Sequence, residues 1–377
     1  MSEIQIRKIN SRQELADFIH IVDEIYQDYP QYVPDLENGI KGLFNIKTNP
    51  GLEFSDIQPF VAYKDQKPVG RIVGIVNHKA NKKWQTKNVR FSMIEFVDDQ
   101  EVSRALLEAV EAWGKSLGME KIHGPLGVTD FDKEGMLIED FELTGSMTAI
   151  YNPPYYPKHM EALGFEKEVD WLQIRINIPE EIPAKYARVA QYNRETIGLR
   201  VQKLTKKELQ GDYGQQAFKL FNQAYESIFG FSKLSEKQVD FFLRQYLPVV
   251  DTQLIPVIFN EKDEIVGAAV TMVSLAQGLQ KSKGRLWPFG WYHLLKSLYL
   301  KKEDSAEMLL IAVRPDYQGL GVNAMFFDDL IPIYNRLGIK RAETGPQLED
   351  NVRELSQWKP LKPEFVKRRR CFVKSVN

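Results

Sequence analysis

Residues 318–323, Gln318-Gly319-Leu320-Gly321-Val322-Asn323, set two glycines between an apolar run and a helical pattern. That order can bind phosphate. The run 308–313 reads as a buried strand, and it stops at Arg314-Pro315 because proline cannot donate to a sheet ladder. Ala324, Phe327, Leu330, Ile331, Tyr334 and Leu337 then recur at helical spacing, and Gly338 stands where a C-cap belongs. A strand feeding a glycine loop feeding a helix turns several backbone N–H groups toward a helix N-terminus, an anion site that needs no cationic side chain. The same letters also describe a plain tight turn. They are not a Walker loop, which ends in Gly-Lys-Ser/Thr, nor the three-glycine dinucleotide fingerprint.

Other reactive residue types are scattered. No pair of the five histidines has metal-ligand spacing, so no metal is expected. His20 and His159 fall on helical patterns, and His123, just before Gly124-Pro125, is the most site-like. The single cysteine, Cys371, excludes an internal disulfide framework and a Cys-based zinc cluster, and reads as a small buried apolar residue. Lys367-Arg368-Arg369-Arg370 reads either as a phosphate contact or as the solvated start of a last strand. Asn152-Pro153-Pro154-Tyr155-Tyr156 either walls a pocket or stiffens a helix entry. The aromatic insert 284–295 (GRLWPFGWYHLL) either lines a substrate channel or packs inside, and for such clusters burial is the expectation.

Arg314-Pro315-x-Tyr317-Gln318-Gly319-x-Gly321 resembles the Q/R-x-x-G-x-G/A pyrophosphate loop of the GNAT superfamily of acyl-CoA-dependent N-acyltransferases. Gln318 takes its first position, Gly321 the middle one, and Asn323 stands where the family has Gly or Ala. The resemblance implies acetyl-CoA or another acyl-CoA as co-substrate and a small-molecule or peptide amine as acceptor. It would rest the pyrophosphate on the amides of Gly319, Leu320, Gly321, Val322 and Asn323, and the pantetheine arm on the backbone of Ile311, Ala312 and Val313. Some members carry a glutamate eleven residues before the Q/R position, where Glu307 falls. Desolvation at the start of an apolar strand would raise its pKa, as suits a general base; an exposed strand-end glutamate is the other reading. In the family's N-x-x-A-x-x-x-Y pattern Asn351 matches the asparagine, but Trp358 falls where the proton-donating tyrosine belongs, and an indole N–H does not titrate usefully. Tyr317 is the expected substitute acid, with Tyr334, Tyr155 and Tyr156 as the other candidates. A non-catalytic CoA-binding or scaffold protein is the rival reading.

The elements that must position this loop occur twice. Residues 4–9 alternate as a half-buried strand, 59–63 and 69–76 form a hairpin about Lys64-Asp65-Gln66-Lys67, and a helix runs from Val102 to Leu117. Residues 199–204, the hairpin 254–259 with 265–273, and the loop-helix stretch repeat that order. The Glu161-Ala162-Leu163-Gly164-Phe165 ending also resembles the end of the GNAT fourth helix. The expected fold is α+β: two tandem GNAT-like domains, each a mixed, mostly antiparallel sheet flanked by helices. The expected boundaries are 1–180, a linker 181–197, and an acyl-CoA-binding domain 198–377. In the first half the matching junction, 95–101 (EFVDDQE), has no glycine and is acidic, so that half is expected to keep the fold without the cofactor. Fifty basic against fifty-one acidic residues leave no bulk charge for nucleic acid or a membrane. The polar start and the lack of an apolar stretch near about 18 residues point to a cytoplasmic protein.

Overall fold

The computed structural model describes residues 3–45, 47–300 and 303–376. It divides into one unit of Met1–Leu172 with Lys367–Asn377 and a second of Gln173–Val366. The first unit opens with β1 (Ile4–Lys8), α1 (Arg12–Ile25) and α2 (Glu37–Leu43). It continues through β2 (Ser55–Lys64), β3 (Lys67–Asn77), α3 (His78–Trp84), β4 (Asn88–Phe96) and α4 (Gln100–Ser116). After β5 (Lys121–Gly124), β6 (Met136–Leu137) and α5 (Tyr155–Ala162) comes β7 (Glu166–Asn177), which runs on into the second unit. There follow α6 (Ala184–Glu195), β8 (Arg200–Lys203), α7 (Lys206–Gln210), α8 (Asp212–Ala224) and α9 (Glu236–Tyr246). Then come β9 (Pro256–Phe259), β10 (Ile265–Val273), α10 (Ala276–Ser282), α11 (Gly290–Leu295), β11 (Ser305–Val313) and α12 (Asn323–Leu337). The chain ends with β12 (Arg341–Thr344), β13 (Gln347–Leu348), α13 (Val352–Ser356) and β14 (Glu364–Ser375).

Local chemistry explains the frame. Ser11 and Glu14 form the expected capping box at α1. Asp65 and Gln66, at φ 51° and 63°, make the two-residue turn whose twist suits a hairpin, and β2 pairs antiparallel with β3 across it. In the first unit the strand order is β1-β2-β3-β4-β5-β14-β7, and in the second β7-β12-β11-β10-β9-β8. Neighbours such as β1 and β2, β2 and β3, β3 and β4, β5 and β14, β7 and β12, β10 and β11, and β8 and β9 run antiparallel, whereas β4 runs parallel to β5 and β11 parallel to β12. Against these pairs lie the apolar faces of α4 (Val102, Leu106, Val110) and of α12 (Ala324, Phe327, Leu330, Ile331).

Two features differ from the sequence reading. The stretch 181–197 is not an open linker: it carries α6, whose Ala190 and Val189 pack with the residues around α12 in the second unit. The strands at the chain's two seams are also exchanged. The last strand, residues 367–375, belongs to the first unit, where it pairs with β5, while residues 175–177 of β7 pair with β12 in the second. Alternation predicts that a strand exists. It does not say which sheet completes itself with it.

Candidate active site

β11 and β12 are hydrogen-bonded only where Ser305–Met308 faces Arg341–Thr344. Gly345 donates its N–H to the Met308 carbonyl (3.0 Å) and turns the chain away. Among the described residues, Leu309 to Val313 therefore have no partner on β12. On the opposite edge β11 stays paired with β10 as far as Gly267↔Val313, with Leu309 skipped in the register as a bulge. The parallel strands thus splay at the middle of β11, and a half-open strand edge can take an extended, amide-rich ligand. Tyr225, at the end of α8, stands in the splay. Its hydroxyl donates to the Ile311 carbonyl (2.9 Å) and accepts from the Ile311 N–H (3.3 Å). Burial raises its pKa, so it stays protonated.

The glycine loop follows β11 as expected. Gly319 and Gly321 sit at φ 87° and 74°, a region that other residues enter at a cost of about 1–2 kcal/mol. The Gln318 side chain folds back onto the Val313 carbonyl (3.0 Å). Among the described residues no backbone carbonyl accepts from the amides of Gly319, Gly321, Val322 or Asn323. They lead into α12, fifteen residues long with no acid in its first turn, so the positive end of its dipole is unopposed. The Asn323 amide donates to Gln357, whose own amide donates to Glu354. Burial pushes the Glu354 carboxyl up to about 7. Asn351 is used locally: its side chain accepts from the Glu354 N–H (3.3 Å) and caps α13.

At the other end of β11 an acidic pair forms. Glu307 is buried, and its Oε1 accepts from the Ser274 hydroxyl (3.2 Å). Glu303 lies beside it, holding the Gln277 N–H (2.8 Å). Burial first, and then the charge of Glu307, push the Glu303 carboxyl up to about 7. Sequence reasoning singled out Glu307 and missed Glu303, which sits in a polar run that reads as solvent-facing. The part of that run at 301–302 lies outside the described residues.

Other sequence candidates fall elsewhere. Tyr317 turns its hydroxyl to Asn260 (3.2 Å) in the β9–β10 turn, and its ring lies under Arg314. Tyr334 is buried in α12 and donates to Thr271 (2.9 Å). Tyr155 and Tyr156 belong to the first unit, on the carbonyl and the N–H of Phe96 (2.7 and 2.8 Å). Trp358 is a core residue against Phe327, with its indole N–H on Gln347 (3.2 Å). Tyr225, the hydroxyl at the splay, follows from no motif, because it reaches β11 from an element 86 residues away.

The first unit repeats the splay and fills it differently. Tyr156 takes the Phe96 N–H and donates to Glu95 (2.9 Å), and Tyr26 donates to the same carboxylate (2.5 Å). Asp99 caps α4 through the Glu101 N–H (2.9 Å) and pairs with Lys64 (2.7 Å), so a carboxylate already occupies that helix start. His123, Glu168 and Cys371 meet here, with Nδ1, Oε2 and Sγ all within 4.8 Å of one another. Their atoms satisfy each other: His123 pairs with Glu168 (2.8 Å), and the buried Cys371 thiol, its pKa raised by burial, donates to the same carboxylate (3.3 Å). The basic run at 367–370 is neither solvated nor free. Lys367 and Arg369 are buried, and Arg368 and Arg370 both engage Asp170.

The chain is similar along its length to three known proteins. It is 26% identical over 379 residues to Protein YghO of Escherichia coli K12, covering 98% of this chain and 95% of that one. It is 24% identical over 322 residues to a bacterial ceramide synthase of Caulobacter vibrioides, covering 84% and 82%. Among solved structures it superimposes on a tandem GNAT protein of the clavulanic acid biosynthesis pathway with a TM-score of 0.59, at 10% identity and 100% and 99% coverage. The chain has a tandem GNAT fold. No family model matches it. The parallel pair that splays in each unit of this tandem GNAT-fold protein is the feature its two halves share.

Proposed function

We propose that the second unit is an acyl-CoA-dependent N-acyltransferase and that its acceptor is the primary amine of a long-chain amino alcohol. The observation that carries the reading is the splay of β11 from β12 leading into a glycine loop with unengaged amides at the start of α12. In this reading the amides of Gly319 to Asn323 hold the pyrophosphate, and the edge of Ile311 to Val313 lies along the pantetheine arm. The acceptor class is suggested by the relative named as a ceramide synthase, since a ceramide is the amide of a fatty acid and a long-chain amino alcohol.

The amine attacks the thioester carbonyl; the C–N bond forms, the C–S bond breaks, and the amine proton must leave. Glu307 lies four residues before Ile311, about 13 Å along extended backbone, so the Glu303–Glu307 pair takes that proton through water. Tyr225 faces the leaving sulfur. A phenol whose pKa lies above that of a thiol cannot fully protonate the thiolate, so its part is a hydrogen bond to the developing charge. The first unit, its helix start closed by Asp99 and its splay by Tyr156, does not bind CoA in this reading.

The test pairs calorimetry with a product assay. The full chain is titrated with CoA and then incubated with acyl-CoA thioesters from acetyl to palmitoyl and a long-chain amino alcohol. Thiol release and the amide's mass are the readouts. Binding and amide formation, both abolished by Gly321→Asp, are expected, with long acyl chains preferred. Binding without amide, whatever the amine, would instead leave a CoA-binding protein, a reading favoured by Trp358 in the place of a tyrosine.

A further inference from the structure

Seven of the fourteen large hydrophobic side chains that are exposed among the described residues fall within residues 287–300: Trp287, Phe289, Trp291, Tyr292, Leu295, Tyr299 and Leu300. The sequence alone favoured burying this aromatic insert, and the structure overturns that. Trp287 is 80% exposed, Leu300 75% and Phe289 73%, values an aqueous domain surface seldom tolerates in so short a stretch. The packing explains the outward face. α11 seats against α10 through Leu294 and Ser297, which close on Gly278: a Cβ there would meet the Ser297 hydroxyl at 2.9 Å and Leu294 at 3.3 Å. The opposite side of α11 and of the turn that continues it, Lys296–Leu300, is left uncovered.

Charge decides what covers it. The stretch 276–300 contains Lys281, Lys283, Arg285 and Lys296 and not one Asp or Glu, in a chain whose charges as a whole balance at 50 to 51. Lys281, Lys283 and Lys296 are exposed in the same stretch as the aromatic side chains. Indole and phenol rings rest at the headgroup level of a bilayer, alkyl side chains enter the acyl boundary, and lysines reach up to anionic lipid. A nucleic acid would use the cations and rings but offer nothing to Leu295 and Leu300. We propose that residues 281–300 are a docking element for the surface of an anionic bilayer, lying in the interface without crossing it. The bulk neutrality that argues against a membrane partner hides this local patch. The inference stands apart from the acyltransferase reading, because docking needs no CoA and no turnover.

The test is co-flotation of the full chain, without acyl-CoA, with vesicles of phosphatidylcholine alone or with about a third phosphatidylglycerol. Binding to the anionic vesicles, weakened by raised salt, is expected. Each basic residue near such a surface is worth roughly a fivefold factor in partition, so Lys281→Gln, Lys283→Gln and Lys296→Gln together should lower binding about a hundredfold. Trp287→Ser with Phe289→Ser should also release the protein while circular dichroism stays unchanged. Equal partition to both vesicle types, or anionic binding undiminished in both variants, would overturn the proposal. So would self-association through this face, lost in the serine variant, or binding to RNA, with no vesicle binding in either case.

Discussion

Glu303 should make the protein's stability fall as pH rises through neutrality. The residue is 9% exposed, and burial together with the Glu307 charge raises its pKa from an ordinary 4.5 to about 7. The folded state therefore holds this proton longer than the unfolded chain does. Its contribution is fully present below about pH 4.5 and is lost as pH climbs through about 7. A gap of about 2.5 pH units corresponds to about 3 kcal/mol as an upper figure, which residual solvent contact lowers. Glu303→Gln removes the titration and keeps an oxygen for the Gln277 N–H (2.8 Å). Urea midpoints of wild type and variant, measured in matched buffers from pH 4.5 to 8, should diverge in the variant's favour as pH rises. Taking the difference at each pH cancels the other titrating groups. A difference that stays constant across the window would refute the burial argument. Glu307→Gln adds a second reading: without the like charge, Glu303 should titrate lower and the window should move toward acid.

Three further outcomes follow from the same geometry. Gly321→Ala would set a Cβ 2.4 Å from Val189 Cγ1 at φ 74°, so it should cost about 1–2 kcal/mol for the conformation alone plus the clash; Val189→Ala should restore only the clash part in thermal melts. Tyr225→Phe removes both hydrogen bonds to Ile311 and should lower kcat about tenfold to a hundredfold while KM falls, because acyl-CoA no longer has to displace the hydroxyl, read from thiol release. Trp358→Tyr should not raise turnover, because the side chain lies in the core against Phe327; it should instead destabilise the unit by about 1–3 kcal/mol through lost volume, seen as a lower Tm.

Local rules made the loop legible. The proline stop, the two glycines at positive φ and the helical spacing of Ala324 to Leu337 are all short-range, and each stands where the letters place it. The partners of β11 were not legible in the same way. Tyr225 reaches Ile311 from 86 residues upstream, and Glu303 acquires its environment from Ser274 and Gln277 across a hairpin and an insert. Long-range contacts of this kind leave no periodicity. The aromatic insert misled for a related reason: composition reports that such rings favour burial, and only the packing of Leu294 and Ser297 on Gly278 shows which side of α11 is left over.

The two halves show how one frame can be opened or closed by a few residues. In both, a parallel strand pair splays, and a tyrosine hydroxyl sits on the exposed backbone: Tyr156 on Phe96 in the first unit, Tyr225 on Ile311 in the second. The difference lies at the helix that follows. α4 begins with Asp99 as its cap and Glu101 in its first turn, so its amides and dipole are already satisfied by carboxylates. α12 begins after Gly319 and Gly321 with no acid, and its first amides face outward. Tyr156 is further fixed by Glu95, itself held by Tyr26, while Tyr225 bonds to the Ile311 backbone that a thioester carbonyl would claim. For a ligand that offers Ile311 its own carbonyl, breaking the two hydrogen bonds between Tyr225 and Ile311 costs about 1 kcal/mol each. Displacing Tyr156 would also strip a buried carboxylate of a donor, a larger penalty. On this argument acyl-CoA should compete successfully only in the second unit, and a stoichiometry of two CoA per chain by calorimetry would refute it.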